Sequence, residues 1–235
     1  TCWKLASALA AGNTIILKPS SLTPLTALEL VKIIHAAGVP AGVVNLINGS
    51  GVKIGNALCE DKRVDMISFT GSNEIGKQIL QYSAKNVKKM IMELGGKSAS
   101  IVFNDVDLDT AVNSSLTSIY LNQGQMCTAM SRIFVQERIY DEFVESFVQK
   151  AKLIKLGLAD SHETQMGPLI SDAQRKKVIA YIEKAKAEGG KVVCGGKIPD
   201  GQELKNGYFF EPTVLVDVGA HSHIFKEEVF GPVVL

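Results

Sequence analysis

The chain has 235 residues, of which 46% are hydrophobic and 21% are charged, and its 25 Lys and Arg residues nearly balance 24 Asp and Glu. This apolar content excludes a disordered or low-complexity protein, because such chains cannot bury enough surface to offset the entropy lost on folding. A net charge of +1 gives no basic field for nucleic acid and no polybasic surface for anionic lipid. We therefore expect a globular protein that binds neither nucleic acid nor a membrane.

The ends and the cysteines of the chain bear on its size and its setting. The chain begins at Thr1 without an initiator Met and stops at Leu235 inside an apolar run, so we expect it to be the interior of a longer polypeptide. It has no apolar stretch of about 18 to 20 residues that would span a membrane. Its four cysteines form no CxxC pair, which argues against structural zinc and a disulfide scaffold and favours a reducing cytoplasm.

The first part of the chain alternates short β-branched strands with helices of about ten residues. Gly12 stands where glycine commonly follows a helix, and Thr23-Pro24 offers a capping hydroxyl and a proline for the first helical position. The expected helices are 1–11, 23–38, 52–58 and 74–84, and the expected strands are 14–17, 43–47 and 64–69. This alternation predicts right-handed βαβ units and a largely parallel sheet.

The same alternation resumes after Gly95-Gly96, which we take as the boundary between two α/β lobes, 1–95 and 96–235. The expected strands of the second lobe are 100–103, 132–136, 192–194 and 213–216, and the expected helices are 107–121, 140–153 and 172–188. The whole chain is therefore predicted to be an α/β protein.

Two turns follow predicted strands and open helices, as phosphate-binding turns do. Gly49, Gly51 and Gly55 have the spacing GxGxxxG and not the GxGxxG of dinucleotide sites, which favours a tight turn that lets a helix approach the sheet. The turn at Gly71-Ser72 presents free helix N–H groups to which a pyrophosphate could bind. A helix capped by Ser72 explains that turn equally well.

Two residues are candidates for covalent and acid–base chemistry. Cys127 lies in a polar segment just past a helix, whereas the other cysteines lie in apolar or strand contexts, so it is the best candidate nucleophile. Glu93 ends an apolar strand before a Gly-Gly step, and burial there would raise its pKa towards that of a general base. Taken alone, each residue also has a structural explanation, as a small hydrophobe or a solvated carboxylate.

Five motifs together resemble the aldehyde dehydrogenase superfamily, in the family's order and at its spacing. They are Leu17-Lys18-Pro19-Ser20, Phe69-Thr70-Gly71-Ser72, Glu93-Leu94-Gly95-Gly96-Lys97, Gly124-Gln125-Met126-Cys127 and Glu227-Glu228-Val229-Phe230-Gly231-Pro232. The 34 residues from Glu93 to Cys127 match the family's interval between base and nucleophile. The resemblance implies a Rossmann-like parallel-sheet cofactor lobe followed by an α/β catalytic lobe, in a chain that resembles the family's central portion.

The resemblance implies an enzyme that oxidises an aldehyde to a carboxylic acid with NAD or NADP. Cys127 resembles the nucleophile that forms a thiohemiacetal and then a thioester, and Glu93 resembles the base that activates water to hydrolyse it. Among the substrate residues, Trp3 and Lys4 resemble a tunnel wall and a nearby lysine, and Met126 and Thr128 flank the nucleophile. A small to medium aldehyde is expected, such as an aminoaldehyde or betaine aldehyde.

The cofactor residues are implied in the same way. Lys18 resembles the residue at the adenosine ribose, Ser72 the one at the pyrophosphate, and Glu228 the one at the nicotinamide ribose, with Phe230 beside the ring and Gly71 allowing close approach. The other cofactor candidates are Ser20, Ser21, Gly51, Phe69 and Leu94. No metal ligand is expected.

The chain departs from the family at two points. Ser21 stands where NAD-preferring members have a Glu that binds the ribose 2′-hydroxyl and repels a 2′-phosphate, so the preference between NAD and NADP stays open. The family's oxyanion asparagine would fall before Thr1, and loss of one such donor costs on the order of 3 kcal/mol.

Two other functions stay open at this stage. One is a CoA-acylating aldehyde dehydrogenase, in which CoA and not water resolves the thioester. The other is a catalytically silent scaffold of the same fold. We expect a cytoplasmic homodimer or homotetramer, as the resemblance implies.

Overall fold

The computed structural model describes all residues 1–235. The chain divides into two compact units, Thr1–Leu94 and Gly95–Leu235. The division falls one residue before the expected end of the first lobe at residue 95.

The first unit contains two parallel strand pairs, each joined by a helix. Its helices are α1 (Cys2–Ala10), α2 (Leu25–Ala36), α3 (Asn56–Glu60) and α4 (Asn73–Ser83), and its strands are β1 (Ile15–Leu17), β2 (Val44–Leu46), β3 (Met66–Gly71) and β4 (Lys89–Leu94). Strand β1 pairs with β2 across helix α2, and β3 pairs with β4 across helix α4, both in parallel. The predicted parallel βα units are confirmed, as two two-stranded sheets.

The ends of the first helices agree only in part with the local sequence signals. Gly12 follows α1 with φ +74°, as predicted for a residue just past a helix C-terminus. The expected cap of α2 by Thr23 is wrong, because Pro24 is the N-cap and no side chain caps the helix. A π-helical turn at Gly51–Gly55 precedes α3.

The second unit combines a parallel pair with a mixed sheet. Its helices are α5 (Leu108–Tyr120), α6 (Tyr140–Lys152), α7 (Asp172–Ala187) and α8 (His223–Lys226), and its strands are β5 (Ala99–Val102), β6 (Arg132–Val135), β7 (Lys191–Cys194), β8 (Thr213–Val216) and β9 (Val233–Val234). Strand β6 is parallel to β5, and β9 is parallel to β8. Strand β7 is antiparallel to β8, so the second sheet departs from the expected parallel arrangement.

The second unit holds most of the buried apolar surface. One cluster joins α5 to α6, where the rings of Phe143 and Phe147 stack at 5.9 Å. The other packs Val178 and Ile182 of α7 against Phe210. Full burial of each such side chain stabilises the fold by about 1.5–3 kcal/mol. None of the helices combines the length and apolar character required to cross a membrane.

Candidate active site

Lys18 joins the carboxyl ends of the first parallel pair. It directly follows β1, and its half-buried ammonium group donates to the carbonyl oxygens of Pro19 at 2.7 Å and Gly49 at 3.4 Å. Gly49 lies in the turn after β2, so one side chain links the ends of both strands. Ligands of open α/β sheets bind at this edge. Ser20 and Ser21 follow on the exposed side of the same turn.

The glycines after β2 differ in what surrounds them. Gly49 has φ +149°, and a Cβ there would lie 2.4 Å from Cδ1 of Ile54, so the turn and the close packing of the helix require glycine. Gly51 and Gly55 have no atom within 4 Å of a Cβ position. The tight-turn interpretation therefore fits Gly49, whereas Gly51 faces open space.

The second parallel pair ends in a capped helix. Ser72 is the N-cap of α4, and its hydroxyl accepts a hydrogen bond from the Ile75 N–H at 3.3 Å. In register, Gly71 lies beside Leu94. A Cβ at Gly71 would lie 2.4 Å from Cζ of Phe69, so the ring of Phe69 already fills the space beside this glycine. The sequence suggested that Gly71 allows close approach of a cofactor. Packing of the Phe69 ring against this position is by itself enough to require glycine there.

Glu93 lies near the end of β4 and is exposed. The expectation that it ends a buried strand and is desolvated is wrong, because residues of β3 and β4 alternate between exposed and half-buried positions. Burial lowers the pKa of Lys4 in helix α1, and the negative charge of Glu93 opposes that change. The first unit thus brings Lys4 and Glu93 into electrostatic range, while Trp3 is 85% exposed.

Cys127 is an exposed free thiol at the end of an unusual turn. Three consecutive residues before it, Asn122, Gln123 and Gly124, have φ between +51° and +67°, in the left-handed region. The main chain of Gly231 fits against Gly124 so closely that a Cβ would lie 2.1 Å from its carbonyl oxygen. Left-handed non-glycine residues persist only where the surroundings hold them, and they concentrate at functional sites.

The residues that flank Cys127 have different environments. Gln125 fixes the turn to the chain before α7, since its side-chain oxygen accepts from the Ile170 N–H at 3.0 Å. Met126 is half-buried and packs against the cluster of α5 and α6. Thr128 is exposed. Of the two residues predicted to contact substrate beside the nucleophile, only Thr128 is open to solvent.

The carboxylate of Glu228 rests on the Gly95–Gly96 segment. The Gly96 N–H donates to its Oε1 at 3.3 Å, and a Cβ at Gly95 would lie 2.0 Å from its Oε2. A Cβ at Gly96 would also lie 4.0 Å from the carbonyl oxygen of Cys127. The second unit thus brings Glu228, the Gly-Gly step and the turn of Cys127 together.

Helix α7 holds the segment of Glu228 and Phe230 through the side chains of Gln174 and Lys177. Gln174 donates to the carbonyl oxygens of Val229 at 3.0 Å and Phe230 at 2.7 Å, and Lys177 donates to the carbonyl oxygen of Glu228 at 3.2 Å. Phe230 has φ +58°, a strained value for a bulky residue. Sequence reasoning missed Gln174 and Lys177, although their spacing of three residues places them on one helix face.

Comparisons with known proteins agree with this arrangement. The family model described as "Aldehyde dehydrogenase family" matches residues 1–235. Betaine aldehyde dehydrogenase of Bacillus subtilis (strain 168) is 49% identical over 231 residues, covering 98% of this chain and 47% of that protein. D-glyceraldehyde dehydrogenase (NADP(+)) of Picrophilus torridus is 46% identical over 232 residues, covering 98% of this chain and 47% of that protein.

A solved structure gives the same result. Betaine aldehyde dehydrogenase from Staphylococcus aureus, in complex with NAD+, superimposes with a TM-score of 0.97 at 45% identity, covering 99% of this chain and 46% of that one. The chain spans about half the length of these relatives. The α/β fold, the motifs and the family model agree, and the chain belongs to the aldehyde dehydrogenase family.

Proposed function

We propose that the protein oxidises an aldehyde to a carboxylic acid with NAD or NADP, and that Cys127 is the nucleophile. The observation that carries this proposal is the exposed thiol of Cys127 at the end of a strained left-handed turn, in a member of this family. Strained turns of this kind support preorganised catalytic groups.

In this mechanism the Cys127 thiolate attacks the aldehyde carbon to form a thiohemiacetal, with its own backbone N–H as one donor to the oxyanion. NAD(P), when bound, accepts a hydride from that carbon, which leaves a thioester on Cys127. Glu93 removes a proton from water, which attacks the thioester and releases the carboxylic acid and the thiol.

The cofactor fits the residues present at the strand ends. Open space beside Gly51 and Gly55 leaves room for a ligand against the turn after β2, and Lys18 reaches that same turn. Ser72 and the first N–H groups of α4 suit the pyrophosphate, and Glu228 suits the diol of the nicotinamide ribose. Accordingly, 1–95 would be the NAD(P)-binding domain and 96–235 the catalytic domain.

The preference between the two cofactors depends on Ser21. This exposed serine adds no negative charge beside the proposed adenosine ribose, so a 2′-phosphate would meet no carboxylate from this position. We propose that both NAD and NADP are accepted. The structure of the Staphylococcus aureus relative contains NAD+, and the Picrophilus torridus relative is named for NADP(+).

Replacement of Cys127 by Ala tests the proposal. We expect the intact protein to form NAD(P)H in the presence of an aldehyde, and Cys127→Ala to abolish this reaction while cofactor binding persists, because no thiohemiacetal can form. The assay follows absorbance of the reduced nicotinamide with a panel of small aldehydes and with each cofactor. Cys2→Ala, which removes the other exposed thiol, is the matched control. Turnover retained in Cys127→Ala would overturn the assignment.

Product analysis in the same assay separates the remaining alternatives. An acyl-CoA product would show that CoA resolves the thioester, whereas the exposed Glu93 favours water and a free acid. Cofactor binding without turnover would favour a silent scaffold. The named relatives act on betaine aldehyde and D-glyceraldehyde, and we propose a small to medium aldehyde for a cytoplasmic homodimer or homotetramer.

A further inference from the structure

The turn that carries Cys127 has to be held in place from outside. Asn122 and Gln123 are left-handed without being glycine, with φ +51° and +58°, and such residues persist only where their surroundings hold them. Inside the turn, the Gln125 N–H donates to the Asn122 carbonyl oxygen at 3.0 Å, and the Asn122 side chain donates to the Gln125 carbonyl oxygen at 3.2 Å. These bonds shape the turn but do not fix where it lies in the second unit.

The side chain of Gln125 ties the turn to a distant part of the same unit. Its oxygen accepts a hydrogen bond from the Ile170 N–H at 3.0 Å, across 45 residues of the chain. Leu169, just before this donor, is buried and donates its own N–H to the Tyr208 carbonyl oxygen at 3.0 Å. Ser171, just after it, is the N-cap of α7. The donor is therefore held on both sides.

The other ties before Cys127 lie farther from it along the chain. The main chain of Gly231 packs closely against Gly124, but this contact is van der Waals packing and has no preferred direction. Gln123 accepts from the Gly167 N–H at 3.2 Å when its amide oxygen faces that donor, and it lies four residues before Cys127. Both interactions hold the start of the turn.

The chain after Cys127 is anchored only at β6. The Ala129 N–H donates to the Met126 carbonyl oxygen at 3.1 Å, which closes this stretch on itself. The next bond to another element is at Ser131, whose carbonyl oxygen accepts from the Leu235 N–H at 3.0 Å. Ser131 is four residues past the thiol. The Gln125 side chain, two residues before it, is thus the nearest directional anchor of Cys127.

We propose that Gln125 is a positioning residue for Cys127: its hydrogen bond to the Ile170 N–H holds the thiol, together with the Cys127 N–H, where an aldehyde carbonyl can meet both. This inference rests on the proposed function, in which Cys127 is the nucleophile. Gln125 acts through two residues of main chain and not by contact with the substrate. A displacement of about 1 Å at a reacting group can slow a reaction by about 100-fold.

Three substitutions separate the acceptor oxygen from the bulk of the side chain. Gln125→Met keeps the length and removes the acceptor. Gln125→Asn keeps the amide but is one methylene shorter, so it cannot reach the Ile170 N–H from an unmoved turn. Gln125→Glu keeps both the length and an acceptor oxygen. We expect the Met and Asn variants to form NAD(P)H between about tenfold and about 100-fold more slowly, and the Glu variant to recover most of the rate.

The experiment follows NAD(P)H formation in the first turnover of the intact protein by stopped-flow absorbance. This phase reports attack by Cys127 and hydride transfer before the thioester is hydrolysed. Fluorescence titration with NADH reports cofactor binding, which should not change in any Gln125 variant, because only the nucleophile moves. A side chain that merely supports the fold would not give a rate loss that an acceptor oxygen restores.

Gln136→Met is the matched control. It removes an equivalent bond in the same unit, from the Asn104 N–H to the Gln136 side-chain oxygen at 2.8 Å, just after β6. Melting curves should show similar losses of stability for Gln136→Met and Gln125→Met, because each loses one bond between a side-chain oxygen and a main-chain N–H. Only Gln125→Met should slow the first turnover.

Each outcome decides the proposal. A slow first turnover in Gln125→Met and Gln125→Asn, restored in Gln125→Glu and with unchanged NADH binding, would support it. A rate equal to that of Gln136→Met, a Glu variant as slow as the Met variant, or a parallel loss of NADH binding would overturn it and leave the proposed function standing. If Gln125→Met does not fold, the comparison of Gln125→Asn with Gln125→Glu decides in the same way. Failure of the unaltered protein to form NAD(P)H with any aldehyde would overturn the proposed function as well.

Discussion

At the scale of single residues, the same amino acid is required for different reasons at neighbouring sites. A glycine in a turn that could bind a nucleotide phosphate suggests close approach of a ligand. The space beside Gly71, however, holds the ring of Phe69, which lies two residues earlier on the same face of the strand. Gly51, in contrast, has open space beside it. Sequence motifs identify such glycines, but only the packing tells which of them leaves room for a ligand.

Gly71→Ala tests this distinction. A Cβ would lie 2.4 Å from the Phe69 ring, so the ring must move, and the overpacking should cost about 1–3 kcal/mol in the free energy of unfolding. Chemical denaturation of the variant measures that cost. Gly51→Ala is the control and should change stability little, because nothing surrounds its Cβ position.

The Phe69→Leu background completes the test. A smaller side chain at position 69 removes the obstacle, so Gly71→Ala should cost much less there than in the unaltered protein. Equal costs in both backgrounds would show that the Phe69 ring is not the reason for Gly71.

At the scale of elements, helix α4 shows how one residue can serve both folding and binding. Ser72 accepts the Ile75 N–H and leaves the other first-turn N–H groups of α4 for a ligand. The cap explains the helix, and the free donors explain the proposed pyrophosphate site. The two interpretations offered by the sequence are therefore compatible, and they can be separated by substitution.

Ser72→Ala and Ser72→Asp should separate the capping role of Ser72 from its proposed role in cofactor binding. The alanine variant loses the cap and should lose about 1 kcal/mol of stability. The aspartate variant keeps a capping oxygen, so its stability should match that of the unaltered protein, but its negative charge should repel a pyrophosphate and weaken NADH binding. Thermal melts and fluorescence titrations measure the two effects. Undiminished NADH binding by Ser72→Asp would place the pyrophosphate elsewhere.

The elements were largely predictable because local signals agreed with their packing. Strands β1, β2 and β3 and helices α5, α6 and α7 lie within a few residues of their predicted bounds, whereas no bounds were predicted for β4. The antiparallel pairing of β7 was not predictable, because strand direction depends on distant partners and not on local periodicity. The same limit applies to the site: the motif contains Lys97, but the hydrogen bond to its carbonyl oxygen comes from Arg132, 35 residues further on.

At the scale of the whole molecule, the two units differ in the size of their clusters of buried apolar side chains. The fully buried cluster of Thr1–Leu94 consists of Leu5, Val31 and Val44, and strands β3 and β4 alternate between exposed and half-buried positions. The second unit has two larger clusters built on aromatic and branched side chains. Most of the proposed cofactor residues thus lie in the unit with less buried apolar surface.

This asymmetry predicts a gradient of local stability in the unliganded chain. Amide hydrogens open by local unfolding, and opening costs least where few apolar contacts are broken. Hydrogen exchange followed by mass spectrometry should therefore show slow exchange in α5, α6 and α7 and faster exchange in β3 and β4. Addition of NADH should slow exchange in β3, β4 and the first turn of α4, because a ligand that binds only the folded state stabilises it.

Val112→Ala, deep in the second unit's first cluster, serves as the control, since it should speed exchange in α5 and α6 without changing the effect of NADH on the first unit. Protection by NADH confined to residues 140–194, with none in Thr1–Leu94, would contradict the assignment of the first unit as the cofactor-binding domain.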